Sequence, residues 1–171
     1  METPARCSLQ DMLDARDRRS ERQRTHFATT PEATLVVATV VAPGEFKLTP
    51  DTGIVAEAMI ESLIKVFAGH ILSLEHLAPV SGHEVWLTLD VPAAEAKQTA
   101  VGIEDSHMLG RLFDIDVIQH DLRPLSRMDV GMAPRKCLLC DNEARLCMRM
   151  HTHSREEINS FIENLIARYA R

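Results

Sequence analysis

Hydrophobic and polar positions follow two different periods along this chain, and the periods predict its elements. Residues 34 to 42, TLVVATVVA, are β-branched and almost continuously apolar, which predicts a buried strand ended by Pro43-Gly44. From Asp51 to Ala68 the apolar residues Ile54, Ala58, Ile60, Leu63, Ile64 and Phe67 recur at helical spacing, and Gly69 closes the run. Ile71 to Val80 and His83 to Leu89 read as two strands joined by Ser81-Gly82. Pro92 starts a second helix that runs to Glu104, proline being tolerated in a first turn. Phe113 to His120 is a final strand of alternating character.

The order strand, helix, strand, strand, helix, strand predicts an α+β fold on the ferredoxin-like plan, an antiparallel sheet with helices on one face. A Cys/His-containing C-terminal segment and helix follow. In that helix, Ser154 to Tyr169, the stripe Ile158, Phe161, Ile162, Leu165 and Ile166 is a core-packing face. Upstream, residues 8 to 24 predict a charged helix with Leu9, Met12 and Leu13 on one face. Arg16, Arg18, Arg19, Arg22 and Arg24 crowd its second half. They form either a solvated face neutralised by Asp14, Asp17 and Glu21, or an edge that binds phosphate or a partner. Length makes residues 1–171 a single domain, with 122–171 as its C-terminal extension.

Composition narrows the function. Aromatic residues make up only 4% of the chain, so the core is aliphatic and no base-stacking platform is expected. A formal charge of −6 likewise argues against nucleic acid, and any anionic ligand must find a local basic pocket. No apolar run is long enough to span a bilayer, and residues 1–19 contain no signal-like stretch. The expected location is therefore the cytoplasm, where the cysteines stay reduced and metal binding becomes their question.

Two motifs carry chemistry. In Phe113-Asp-Ile-Asp-Val-Ile118 the period of a strand puts Asp114 and Asp116 on one face. Adjacent carboxylates repel unless a cation or an arginine lies between them, and Mg2+ suits oxygen ligands and substrate phosphates. Gly110 is expected to let backbone approach a phosphate, and Arg111 to pair with one. The plain alternative is the exposed face of an edge strand. Locally the stretch resembles the Asp-x-Asp strand of hydroxymethyl-dihydropterin pyrophosphokinases, which are ferredoxin-like. It also resembles the acidic pair of polymerase-β-type nucleotidyltransferases, which is the alternative frame. The second motif is Cys137-x2-Cys140-x6-Cys147-x5-His153, with a spacing that suits a structural Cys3His zinc site. His151 competes for the fourth place, chance proximity of reduced cysteines is the alternative, and Cys7 is a bystander.

Together RDRRSERQ (Arg16 to Gln23), TVVAPG (Thr39 to Gly44), SHMLGRLFDIDV (Ser106 to Val117), LSRMD (Leu125 to Asp129) and PRKCLLC (Pro134 to Cys140) resemble the apo-citrate lyase phosphoribosyl-dephospho-CoA transferases. These segments run in the family's order over nearly the whole chain. One departure is Met108, where the family is expected to carry proline. The resemblance implies a donor, 2′-(5″-triphosphoribosyl)-3′-dephospho-CoA, and an acceptor, a serine of the citrate lyase acyl-carrier-protein subunit. Pyrophosphate would leave as a phosphodiester forms. It implies Asp114 and Asp116 as Mg2+ ligands, Arg111 on the triphosphate, and Arg127, Arg135 and Arg19 as further donor-binding residues. His107 becomes the candidate base toward the serine. The competing functions are a Mg2+-dependent nucleotidyl or pyrophosphoryl transferase acting on a small molecule, and a zinc-stabilised module that binds a carrier protein without chemistry.

Overall fold

The computed structural model describes residues 5 to 171. Helix α1 (Leu9–Thr29) starts at a capping box: the Ser8 hydroxyl accepts the Asp11 N–H, and the Asp11 carboxylate accepts the Ser8 N–H. Strand β1 (Thr34–Val40) leads into α2 (Pro50–Val66), which is capped by Thr49 and Thr52 with proline in its first turn. Strands β2 (Ile71–Leu77) and β3 (Glu84–Leu89) follow, then α3 (Ala93–Ser106), a short 3-10 turn at Gly110–Leu112, and β4 (Phe113–Ile118). Beyond a second 3-10 turn (Met128–Val130) lie α4 (Ala144–Met150) and α5 (Arg155–Tyr169).

The sheet order is β2-β3-β1-β4, and every neighbouring pair is antiparallel. This is the ferredoxin-like arrangement, with each crossover helix joining strands that are one strand apart. It is the frame expected from the element order, and the polymerase-β-type alternative is set aside. Val36, Ala38, Leu87, Leu89, Phe113, Ile115 and Val117 face one side of the sheet and build the main core with α2, α3 and α5. From α5, Ile162 and Ile166 are buried in that core and Ile158 and Leu165 pack against it, whereas Phe161 of the expected stripe is exposed.

The two crossover helices pack on one face as expected, and the N-terminal helix adds to the other. Helix α1 covers part of the opposite face, where Leu35, Val37, Trp86 and Ile118 cluster against its Phe27. A sheet twisted over only four strands leaves this second face half apolar, and the long N-terminal helix shields it. The hairpin also differs: β2 and β3 are shorter than expected and are joined by residues 78–83, not by a two-residue turn. Gly82 lies there at φ 120°, a conformation that favours glycine. Strands β1 and β4 end two residues earlier than their apolar runs do, and α1 continues five residues further, to Thr29.

Candidate active site

Strand β4 is an edge strand, so only its inner side has a strand neighbour. Across that ladder Asp114 faces Thr39 and Asp116 faces Val37, and both carboxylates project to the α1 side of the sheet. The expected co-facial pair is therefore present. Asp114 is 53% exposed and Asp116 38% exposed at their side chains, which leaves both accessible. Burial, and then the Asp114 charge, push the Asp116 carboxyl up to about 6.

The outer edge of β4 is satisfied by three side chains and one backbone N–H in place of a fifth strand. The Ile115 N–H donates to Glu104 Oε1 (2.9 Å), and the Ile115 carbonyl accepts from Lys97 Nζ (3.1 Å). Arg135 Nη2 donates to the Phe113 carbonyl (2.6 Å), and the Leu125 N–H donates to the Val117 carbonyl (2.8 Å). Lys97 and Glu104 come from α3, are 6% and 3% exposed, and grip both polar groups of the residue between the two aspartates. Lys97 Nζ also lies 4.0 Å from Asp116 Oδ1, while Arg135 Nη1 lies 3.3 Å from Asp114 Oδ1. Sequence reasoning missed Lys97 and Glu104. Their signal was present: with Ala100 and Val101 they share one stripe of α3 at helical spacing, an unusual place for two charges.

The arginines are distributed unevenly around this pair. Arg135 reaches it directly, and Arg127 pairs with Glu104 and Asp105 just behind it. The Arg111 guanidinium turns away to the Lys136 and Cys137 carbonyls, so it ties β4 to the cysteine loop. Arg18 and Arg19 of α1 meet at buried Glu84, which faces Thr39 from the other side, two strands from Asp114. Arg22 lies over the Trp86 ring and pairs with Glu75. Gly110 is buried, and its close approach is to the backbone of Ile103 and Glu104 at the end of α3.

His107 is not brought to the acid pair. It ends α3, its Nδ1 accepts the Leu109 N–H (3.0 Å), and its ring packs on Phe113 and Tyr169 on the opposite side of the sheet. Burial lowers its basicity there.

The cysteine group does assemble. One ligand atom from each of Cys137, Cys140, Cys147 and His153 lies within 4.8 Å of the others, so the group could hold a metal ion such as zinc. Cys140 and Cys147 sulfurs are 3.5 Å apart, and His153 Nε2 is 3.4 Å from Cys140 Sγ. A tetrahedral ion with bonds of about 2.3 Å to sulfur sets such neighbours roughly 3.8 Å apart, so the fit is good. Burial pushes the Cys137 thiol up, but backbone N–H groups of Leu139 and Cys140 and the neighbouring thiols outweigh it and bring it down to about 7. Cys147 sits on α4, a helix that the sequence pattern did not reveal, and His151 takes the left-handed residue that ends it. Cys7 lies elsewhere, buried with its N–H on the Glu45 carbonyl.

Comparison with known proteins gives this geometry its context. The family model for apo-citrate lyase phosphoribosyl-dephospho-CoA transferase matches residues 7–169. A Shigella boydii protein and an Escherichia coli protein with that same name are each 35% identical over 162 residues, which is 93% of this chain and 88% of theirs. A Streptococcus pyogenes protein described as "Probable apo-citrate lyase phosphoribosyl-dephospho-CoA transferase" is 33% identical over 92% of this chain and 84% of its own length. The acid pair, its α3 clamp and the cysteine group all lie within the matched span, and this chain belongs to the apo-citrate lyase phosphoribosyl-dephospho-CoA transferase family.

Proposed function

We propose that this enzyme moves the phosphoribosyl-dephospho-CoA group from 2′-(5″-triphosphoribosyl)-3′-dephospho-CoA onto a serine of the citrate lyase acyl-carrier-protein subunit. That it is a transferase acting on apo-citrate lyase follows from its family. The observation that carries the finer reading is the pairing of Asp114 and Asp116 on the open face of an edge strand, beside Arg135. Two carboxylates in this arrangement suit a hard divalent cation such as Mg2+, which when bound neutralises triphosphate oxygens.

The serine oxygen would attack the phosphorus nearest the ribose, forming a new P–O bond as the bond to the next phosphate breaks. Pyrophosphate leaves with the electron pair, and the serine proton passes to solvent or a base. In this reading Asp114 and Asp116 anchor the reacting end. Arg135, held by the Arg111 and Phe113 carbonyls, presents a fixed guanidinium edge to a phosphate. Arg18 and Arg19 pair with Glu84, whose strand position lies two strand spacings, roughly 10 Å, from that of Asp114. An extended donor can follow that line from β4 toward α1. Cys137, Cys140, Cys147 and His153 would hold a structural zinc, since all four positions are protein ligands. No helix among the described residues is long and apolar enough to cross a membrane, and we place the reaction in the cytoplasm.

The test is mass spectrometry of the apo-citrate lyase carrier subunit incubated with donor, Mg2+ and either wild type or the Asp114→Asn, Asp116→Asn double variant. Wild type should add one phosphoribosyl-dephospho-CoA unit to a serine, and the double variant should add none. Equal rates from both proteins would refute the metal-site reading.

A further inference from the structure

The acid pair is already charge-compensated by the protein itself. Asp114 has Arg135 at 3.3 Å, and Asp116 has Lys97 at 4.0 Å. Glu104 and Asp105, just behind, share Arg127. Four carboxylates therefore meet three fixed cations, which leaves the cluster a single net negative charge. A surface lysine could swing aside to admit a metal ion. Lys97 cannot do so cheaply, because it is 6% exposed and its ammonium is held by the Ile115 carbonyl at 3.1 Å. Like-charge repulsion from so close a fixed ammonium weakens the pair's attraction for a free divalent cation.

We infer that Lys97 sets how the acid pair is loaded: the free protein takes up a divalent cation poorly, and Asp114 and Asp116 accept it together with a triphosphate. The triphosphate changes the balance because its oxygens bring several negative charges to Arg135 and toward Lys97 while they share the cation. Lys97 thereby acts as a selectivity residue, favouring the cation–triphosphate complex over the bare ion. It also keeps the two carboxylates from gathering stray divalent ions between turnovers. This inference rests on the proposed role of Asp114 and Asp116, and its test separates the two.

Mn2+ retained by the full chain is measured by ultrafiltration with and without inorganic triphosphate, the small Mn2+–triphosphate complex passing the membrane and being counted as unbound. Wild type should bind Mn2+ at least tenfold more tightly when triphosphate is present. Lys97→Met, which keeps the aliphatic stem, should bind Mn2+ alone at least tenfold more tightly than wild type. Lys97→Gln, which can still donate to the Ile115 carbonyl, should behave the same way and serves if the methionine variant folds poorly. Affinity for Mn2+ alone that is unchanged in a folded Lys97 variant overturns the inference, as does tight wild-type binding without triphosphate. The Asp114→Asn, Asp116→Asn double variant reports on the underlying site: if it still binds Mn2+ with triphosphate as wild type does, the acid pair is not the metal site at all.

Discussion

Replacing Gly110 by alanine asks whether this glycine serves the fold or a ligand. A Cβ built on Gly110 would lie 2.5 Å from the Glu104 carbonyl oxygen, 2.6 Å from the Ile103 carbonyl oxygen and 2.8 Å from the Glu104 carbonyl carbon. All three atoms are backbone of α3's last turn, so no side chain can swing away to make room. Overpacking of this kind costs typically 1–3 kcal/mol, and the rigidity of the neighbour argues for the upper end, about 3 kcal/mol. In a domain of this size each kcal/mol moves the thermal midpoint by about 2–4 °C, so a fall of about 6–12 °C is expected. Differential scanning calorimetry of Gly110→Ala beside wild type measures it. The shift should appear without donor or metal present, because the clash lies within the protein. A phosphate-cradling role predicts instead a higher KM for the donor with the midpoint unmoved. A midpoint within about 2 °C of wild type would refute the packing argument.

Three further outcomes follow from the same contacts. Asp116 is raised to about 6 by burial and by Asp114, so its two effects on pH dependence run oppositely. Metal ligation needs the carboxylate, so activity should rise through about pH 6; the folded state holds this proton more tightly than the unfolded chain, so this group's contribution to stability is lost over the same rise. A pH–rate profile, with thermal midpoints of wild type and Asp116→Asn between pH 5 and 7, checks both signs; equal midpoint shifts in the two proteins would contradict the assignment. Replacing Cys137 and Cys140 together by serine should remove about one zinc per chain and lower the thermal midpoint, whereas Cys7→Ser should retain the metal, as read by elemental analysis. Glu84→Ala removes the shared partner of the part-exposed Arg18 and Arg19 and should cost about 1.5 kcal/mol in a urea titration; a loss under about 0.5 kcal/mol would mean that this pairing does not hold α1.

The sheet was legible because its strands and helices differ in period. TLVVATV and the Ile54-to-Leu63 stripe each admit one reading, and together with the element order they determine the antiparallel plan. Asp114 and Asp116 were legible for the same reason: a period of two needs no tertiary information. The partners of that pair were not, because Lys97 and Glu104 act from α3, about ten to eighteen residues upstream, and on backbone atoms. No side-chain pattern records a hydrogen bond to the Ile115 peptide. Arg111 and His107 show the opposite failure. Their neighbourhood in sequence placed them beside the aspartates, yet the 3-10 turn at Gly110–Leu112 sends Arg111 to the cysteine loop and leaves His107 across the sheet. Helix α4 escaped notice because its seven residues, ARLCMRM, are too few for a period, and Cys147 provides its buried anchor.

The second face of the sheet holds acidic side chains in two settings, closed over by a helix or compensated from the side. On the β2–β3 half, Glu84 is closed over by Arg18 and Arg19 of α1 and left 3% exposed, whereas Glu75 pairs with Arg22 at the rim and stays as open as Asp114. On the β4 half, Asp114 and Asp116 meet cations that arrive from the edge, Arg135 and Lys97, and remain 53% and 38% exposed. A carboxylate closed over by a helix can only tie elements together, since a ligand would have to displace the helix. A carboxylate compensated from the side keeps lone pairs directed at solvent, available to a cation whose remaining ligands come from elsewhere. Helix α1 thus seals Glu84, the acid that holds it, while its Phe27 packs against Ile118 of β4 and leaves Asp114 and Asp116 accessible. On the proposed reading, an anionic donor would meet Arg135 beside the acid pair, in a protein whose net charge would otherwise repel it.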